Sequence, residues 1–330
     1  MTRRATWSDA ELAGLEQAVR RAPSVHNSQP WEFSAADRQV RLALRADVRV
    51  ERHDPESRDQ LISFGAALAN LVLAVRSTGW RADVSFEPDW VAVVTANRRS
   101  EPTAAELRRH TAIPRRATYR RDFADAPVAH LQREAVLGAA SAPGVRPTWV
   151  IGPERAHEVA RHLSYAARVF RGDANYQREL SAWTFPQDTP SGPVEEAGMP
   201  ANALADRGLA AIGLARPRTR IPDVRNLAAR IERESLLVLA TGSDEPADHV
   251  RAGEAMELAW LAATAQGLAT SVMTQPLHLT EVRSGISAAL GARDVPAGDV
   301  PQVLMRFGHP DAVPVPRAPR RQGGPDDGIS

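Results

Sequence analysis

The chain contains no lysine: all 41 of its basic residues are arginine. It contains no cysteine either. Without lysine there is no Schiff-base chemistry, no pyridoxal-phosphate anchor and no phosphate-loop lysine. Without cysteine there is no thiolate nucleophile, no disulfide, no iron–sulfur cluster and no sulfur-ligated zinc. Any redox chemistry therefore falls to a bound cofactor. An excess of charge of one sign is missing as well. The 41 basic residues face 40 acidic ones, for a net charge of +1, and the arginines are interleaved with acids. That pattern argues against a nucleic-acid partner. Long hydrophobic runs are absent too. The longest, Leu61 to Val75, contains Ser63 and Asn70 and reads as too short to span a bilayer. The opening MTRRATWSDAEL lacks the apolar core of a secretory signal. A cytoplasmic location with no membrane partner is the expectation.

Several fingerprints are missing. There is no Gly-x-Gly-x-x-Gly and no Gly-x-Ser-x-Gly, so neither a Rossmann dinucleotide site nor an α/β-hydrolase is expected. His157 and His162 flank a Glu in a zinc-protease-like run. At i, i+5 on a helix, however, the two rings lie about 140° apart, so no metal site is expected.

What is present is an internal repeat, in a chain of 330 residues with ordinary apolar (43%) and charged (25%) content and ample length for a large core. Arg3-Arg4-Ala5-Thr6-Trp7 returns as Arg115-Arg116-Ala117-Thr118-Tyr119. Ala22-Pro23-Ser24-Val25-His26-Asn27-Ser28-Gln29-Pro30-Trp31 has a shorter counterpart in Ala142-Pro143-Gly144-Val145-Arg146-Pro147-Thr148-Trp149. Gly65, Ala67, Leu73, Ala74 and Gly79 match Gly253, Ala255, Leu261, Ala262 and Gly267 at a constant offset of 188. Each later copy reads as a buried helix closed by a glycine cap and followed by a strand. Chance recurrence in a biased composition is the alternative. The early landmarks are offset by only 112 to 120, so the second copy carries an insertion of about 70 residues by subtraction. The expected organisation is a first half at 1–110 and a second at 111–321, the latter with a lid insertion over about 165–233. A disordered tail is expected at 322–330. The fold class is α+β, a duplicated unit fused into a single-chain pseudo-dimer, with no further oligomer required.

Strands are expected at Val40–Leu44, Ala82–Phe86, Trp90–Thr95, Trp149–Ile151, Leu236–Ala240, Thr270–Met273 and Val303–Phe307. Helices are expected at Asp9–Arg21, Ser57–Thr78, Val128–Ala140, Glu154–Val169 and Val250–Gln266. Ser8, with Glu11 three residues on, reads as a capping box.

Two segments carry chemistry. In residues 22–31, Pro23 follows a helix, and Ser24, His26, Asn27, Ser28 and Gln29 are offered on a turn closed by Pro30-Trp31. An ordinary capped turn fits the same composition. In Arg116-Ala117-Thr118-Tyr119-Arg120, guanidinium groups suit a bidentate grip on a phosphate. A solvated basic run, with Arg115 and Arg121 beside them, fits equally well.

Together these segments resemble the nitroreductase superfamily, and more specifically its Acg-type members, which are long single chains of two fused halves with an insertion. The resemblance covers nearly the whole chain. It implies a nitroreductase-like fold and FMN as cofactor. It implies that Pro23, Ser24, Val25, His26 and Asn27 contact the flavin. Arg116 would hold the phosphate, Thr118 would meet the ribityl chain, and Arg120 would lie towards the pyrimidine edge. Backbone N–H groups at Thr274 and Gln275 would lie near flavin N5, where many members have Glu-Gly. Arg320, with Arg317 second, would return to the phosphate; a disordered basic tail is the alternative. The role of His278 is open. Each half keeps one half-site, so one FMN per chain is expected. No side-chain acid or base stands out; His26 is the nearest candidate by resemblance, against a turn-stabilising role. The implied activity is FMN-dependent oxidoreduction, with NAD(P)H or another small molecule as partner. The alternative is an FMN-holding protein without conventional turnover, in which a lid bearing Trp183 and Phe185 fills the slot that nicotinamide needs.

Overall fold

Gly65 and Gly253, the paired glycines of the repeat, lie where two central helices cross. A Cβ at Gly65 would stand 2.1 Å from the carbonyl oxygen of Val250, and one at Gly253 would stand 2.0 Å from that of Ile62. Backbone meets backbone there, so only glycine fits at either position. The computed structural model describes residues 6–186, 197–291, 293–311, 318 and 320. Arg3, Arg4, Ala5, Pro190, Gly192, Pro193, Arg317 and the tail at 322–330 lie outside the described residues.

The first half opens with helix α1 (Asp9–Arg20). Its capping box is formed: Glu11 N donates to Ser8 Oγ at 3.3 Å, and Ser8 N donates to Glu11 Oε2 at 2.8 Å. Strands β1 (Trp31–Ala36) and β2 (Gln39–Leu44) follow, then helix α2 (Arg58–Ser77), then β3 (Trp80–Glu87) and β4 (Val91–Arg99). These strands make one antiparallel sheet in the order β1-β2-β4-β3. Helix α3 (Ala104–Ala112) leads towards the second half, so the expected boundary after residue 110 falls inside a helix.

The second half repeats the plan. Helix α4 (His130–Ala140) precedes β5 (Val145–Trp149). The insertion then holds α5 (Pro153–Gly172), α6 (Ala174–Ala182), β6 (Thr184–Phe185), β7 (Met199–Pro200), α7 (Gly208–Ile212) and α8 (Val224–Arg233). After it come β8 (Ser235–Thr241), α9 (Pro246–Ala265), β9 (Ala269–Met273), α10 (Thr280–Leu290) and β10 (Val300–Gly308). The sheet order is β5-β8-β10-β9, again first, second, fourth, third, and its pairs are antiparallel. In both halves a long helix, α2 or α9, sits between the second and third strands. These two helices pack on each other, and their apolar residues share one buried core with both sheets.

The structure moves two expected boundaries. The insertion occupies 150–234, between two strands whose counterparts β1 and β2 are joined by Asp37 and Arg38 alone. It therefore starts well before residue 165, and α5 belongs to it. Its apolar face, with Val159 and Leu163, packs in a second core against α8 and α10. The strand expected at Trp149–Ile151 instead runs Val145–Trp149, because the turn at Gly144 (φ +82°) starts it earlier. Trp31 opens its strand and Trp149 closes its own, so the two tryptophans are not equivalent. Helix α2, expected at Ser57–Thr78, runs Arg58–Ser77 and by length and composition alone is the one helix among the described residues that passes for a membrane span. It is buried between its sheet and α9.

Candidate functional site

The ten residues between α1 and β1, at 21–30, have only four counterparts, 141–144, between α4 and β5. The extra length forms a tight turn. His26, Asn27 and Gln29 all adopt left-handed backbone conformations (φ +47°, +58° and +49°), which non-glycine residues rarely take. Side chains hold it: Gln29 N donates to Ser24 Oγ at 3.0 Å, and Val25 N donates to Ser63 Oγ at 3.0 Å. Ser63 Oγ in turn donates to the carbonyl of Asp59 at 2.6 Å. Three such residues within four positions, fixed from a neighbouring helix, mark a place where surrounding structure imposes the backbone.

This turn walls a two-lobed cleft. One lobe, about 640 Å³ to its open mouth, is lined by Pro23, Ser24, Val25 and His26 of the turn and by Thr274 and Gln275. Its floor is apolar, made by Ile62 of α2, Met256 and Trp260 of α9, and Val272 of β9. The other lobe, about 660 Å³, is lined by Asn27, Arg21, Arg116 and Arg320. Pro23, Ser24, Thr118, Arg120 and Met199 line both, so the lobes are contiguous. Elements of both halves contribute.

The segment 116–120 reaches the cleft by running along β9, with Tyr119 N donating to the carbonyl of Thr270 at 2.9 Å. Arg116 lies 4.5 Å above the Trp260 ring, donates through Nη2 to the carbonyl of Arg21 at 2.7 Å, and pairs with Glu257 at 3.3 Å. Burial, partly offset by Arg116, pushes the Glu257 carboxyl up to about 7. Arg320 donates to Oδ1 of Asn27. Arg120 is different. Its hydrogen-bond partner is the sulfur of Met199, at 3.4 Å, and no carboxylate pairs with it among the described residues. Burial pushes its guanidinium down to about 10.

All eleven residues expected to touch the cofactor, namely Pro23, Ser24, Val25, His26, Asn27, Arg116, Thr118, Arg120, Thr274, Gln275 and Arg320, line this one cleft. Reasoning from sequence missed Asp59, Ile62, Ser63, Met256 and Trp260, which lie on core helices. Asp59 and Ser63 did carry a signal, being polar residues at i, i+4 near the start of a helix that is largely apolar beyond them. The lid was also misread. Met199, Pro200, Ala203, Gly213 and Leu214 are its cleft-lining residues, rather than Trp183 and Phe185. Trp183 stacks beside His26 with ring centroids 6.2 Å apart, and Phe185 lies against Gly198.

His278 finds its partner in Asp59, with Nε2 and Oδ2 3.2 Å apart. Thr274 Oγ1 donates to the same oxygen at 2.5 Å, and Arg58 reaches Oδ1 at 3.3 Å. Burial alone would raise the Asp59 carboxyl; His278, Arg58 and Thr274 together hold it well below the usual carboxylate range. Asp54, Asp59 and His278 stand close enough to share a metal ion. Asp54, however, already caps α2, accepting from Asp59 N at 3.0 Å and Gln60 N at 2.8 Å. Burial and the neighbouring Asp59 push it up to about 6.

The duplicated sheet order and the cleft lined from both halves define an α+β protein with a composite cleft. No family model matches the chain. Over 328 residues it is 32% identical to "Putative NAD(P)H nitroreductase Rv3131" of Mycobacterium tuberculosis, covering 96% of this chain and 91% of the relative. Over 316 residues it is 31% identical to "Putative NAD(P)H nitroreductase acg" of the same organism, covering 92% and 91%. Among solved structures, a nitroreductase with bound FMN from Bacteroides fragilis matches 67% of this chain and 98% of its own, at 13% identity and a TM-score of 0.41. The NADPH:FMN oxidoreductase of Vibrio harveyi, complexed with NAD+, matches 68% and 78%, at 15% identity and a TM-score of 0.39. The chain belongs to the nitroreductase superfamily and, within it, to the Acg-type proteins.

Proposed function

We propose that the cleft holds one FMN and that the chain is an FMN-dependent oxidoreductase. The observation that carries this reading is Arg120: a half-buried guanidinium with a thioether for a partner, beside Arg116 and Arg320 in a cleft whose other lobe is apolar. A partly desolvated cation without a carboxylate is stabilised when an anionic ligand completes it. A planar ring with a phosphorylated tail has the same two-part character as the cleft. Bound FMN supplies two-electron hydride chemistry. The chain's part is to hold and tune. Arg116 and Arg320 grip the phosphate by charge-assisted bonds, and Thr118 meets the ribityl chain. Arg120, shared by both lobes, places positive charge at the ring's pyrimidine edge, which favours electron uptake. Thr274 and Gln275 present backbone N–H groups opposite the turn of Pro23 to Asn27.

One FMN per chain follows from the asymmetry of the halves. At the offset of 188, Asp59 and Ser63 correspond to Ala247 and Arg251, and the turn has only a four-residue counterpart. A second reading, holding FMN without nicotinamide turnover, is favoured by Met199, which the insertion places in both lobes and against Arg120. The test is to load purified protein with FMN, remove the excess, and add NADPH or NADH without oxygen. Yellow protein that bleaches within seconds supports the oxidoreductase. Yellow protein that bleaches only with dithionite supports the second reading. Protein that stays colourless refutes both.

A further inference from the structure

The hydrogen bonds around His26 fix which of its nitrogens carries a proton. His53 Nε2 lies 3.1 Å from the carbonyl oxygen of Tyr176. A carbonyl only accepts, so this nitrogen bears the hydrogen. A neutral imidazole has a single N–H, so His53 Nδ1 is a bare lone pair. His26 Nε2 stands 2.5 Å from that lone pair and must donate to it. His26 Nδ1 is then left without a hydrogen. His26 lines the apolar lobe of the cleft, and among the described residues its Nδ1 has no hydrogen-bond partner.

The anchor of this chain is in the insertion. Tyr176 belongs to α6, and its ring lies flat on His53, with centroids 3.8 Å apart and planes 4° apart. Glu179 of the same helix accepts from His53 N at 2.7 Å. Both rings are held neutral. Burial pushes His26 well below its ordinary value, with His53, Arg120 and His278 adding to it against Asp59. Burial likewise pushes His53 down, against the Tyr176 carbonyl, Glu179 and Asp59.

We propose that the insertion, acting through Tyr176 and His53, presents His26 Nδ1 to the cleft as a bare hydrogen-bond acceptor, so that the cleft selects ligands bearing an O–H or N–H donor. The selection rests on the cleft being the ligand site proposed above; the tautomer does not. A ligand lacking the donor leaves a desolvated acceptor unmet, and the site discriminates against it for that reason.

Two measurements test this. In histidine-15N-labelled protein at neutral pH, long-range proton–nitrogen spectra should show His26 protonated at Nε2 and unprotonated at Nδ1, with assignments from His26→Gln and His53→Gln. A proton on His26 Nδ1 overturns the proposal. Separately, phenol and anisole form a probe pair differing in the donor, read by perturbation of the flavin spectrum or, in flavin-free protein, by tryptophan fluorescence. Phenol should bind about fivefold tighter. The preference should fall below about twofold in His26→Leu and also in His53→Phe, which frees the tautomer without touching the cleft. Equal binding in the unaltered protein, or a preference kept in both variants, overturns it. Protein that takes up no FMN yet shows the expected tautomer and phenol preference sinks the cofactor reading and leaves this one standing.

Discussion

Gly253→Ala is the sharpest test of the crossed central helices. The added Cβ would stand 2.0 Å from the carbonyl oxygen of Ile62, whereas an ordinary contact begins near 3.4 Å. The helices must therefore part by about 1.4 Å, the difference of those distances. The obstacle is the backbone of α2 in mid-helix, so no side chain can swing aside. Overpacking of this kind costs about 1–3 kcal/mol, and a backbone obstacle belongs at the upper end. Alanine's better helix propensity returns about 1 kcal/mol. The net loss is about 2 kcal/mol, or about 3 °C in Tm for a chain of 330 residues. Gly65→Ala, at 2.1 Å from Val250, should behave alike. The double variant should lose less than the sum, because the first substitution has already opened the crossing. Gly14→Ala, in α1 with nothing within 4 Å of its Cβ, is the control and should stabilise by up to about 1 kcal/mol. Thermal melts by circular dichroism read all four. Gly253→Ala melting at or above the unaltered protein would refute the crossing.

Two further predictions concern charge. Arg120→Met should leave the flavin-free protein as stable or about 1 kcal/mol more stable, since it removes a cation that pairs with no carboxylate among the described residues, while weakening FMN binding at least about tenfold. Parallel melts and FMN titrations check the opposite signs, and a large loss of stability would speak against the assignment. Burial pushes the Glu254 carboxyl up to about 7, with a weaker opposing pull from Arg251. A raised carboxyl contributes stability below its unfolded value of about 4.5 and loses it as pH rises through about 7. Glu254→Gln should thus match the unaltered protein near pH 4.5 and exceed it by about 1–3 kcal/mol at pH 8, in denaturant melts at the two pH values.

The residues that sequence alone made legible were those with a backbone reason. Gly65 and Gly253 stand out because a helix crossing tolerates nothing larger. The turn at Pro23 to Trp31 stands out because a run of small polar residues between prolines can hold strained backbone. Residues on the core helices were hidden, since Met256 and Trp260 lining a cleft look the same in sequence as Met256 and Trp260 filling a core. The insertion's start was misjudged because α5 is amphipathic and reads as part of the repeated unit. Trp183 and Phe185 drew attention by size, yet Met199, Gly213 and Leu214 face the cleft. His278 had no readable role until folding brought it to Asp59, 219 positions away by subtraction.

The proposed cofactor site is one composite cleft between two unequal halves. Titrating flavin-free protein with FMN, followed by fluorescence quenching and by flavin-to-protein ratio after gel filtration, tests it directly. One FMN per chain, held in the unaltered protein and lost in Arg120→Met, is the predicted result. A ratio near two, or one FMN bound equally well without Arg120, would contradict it.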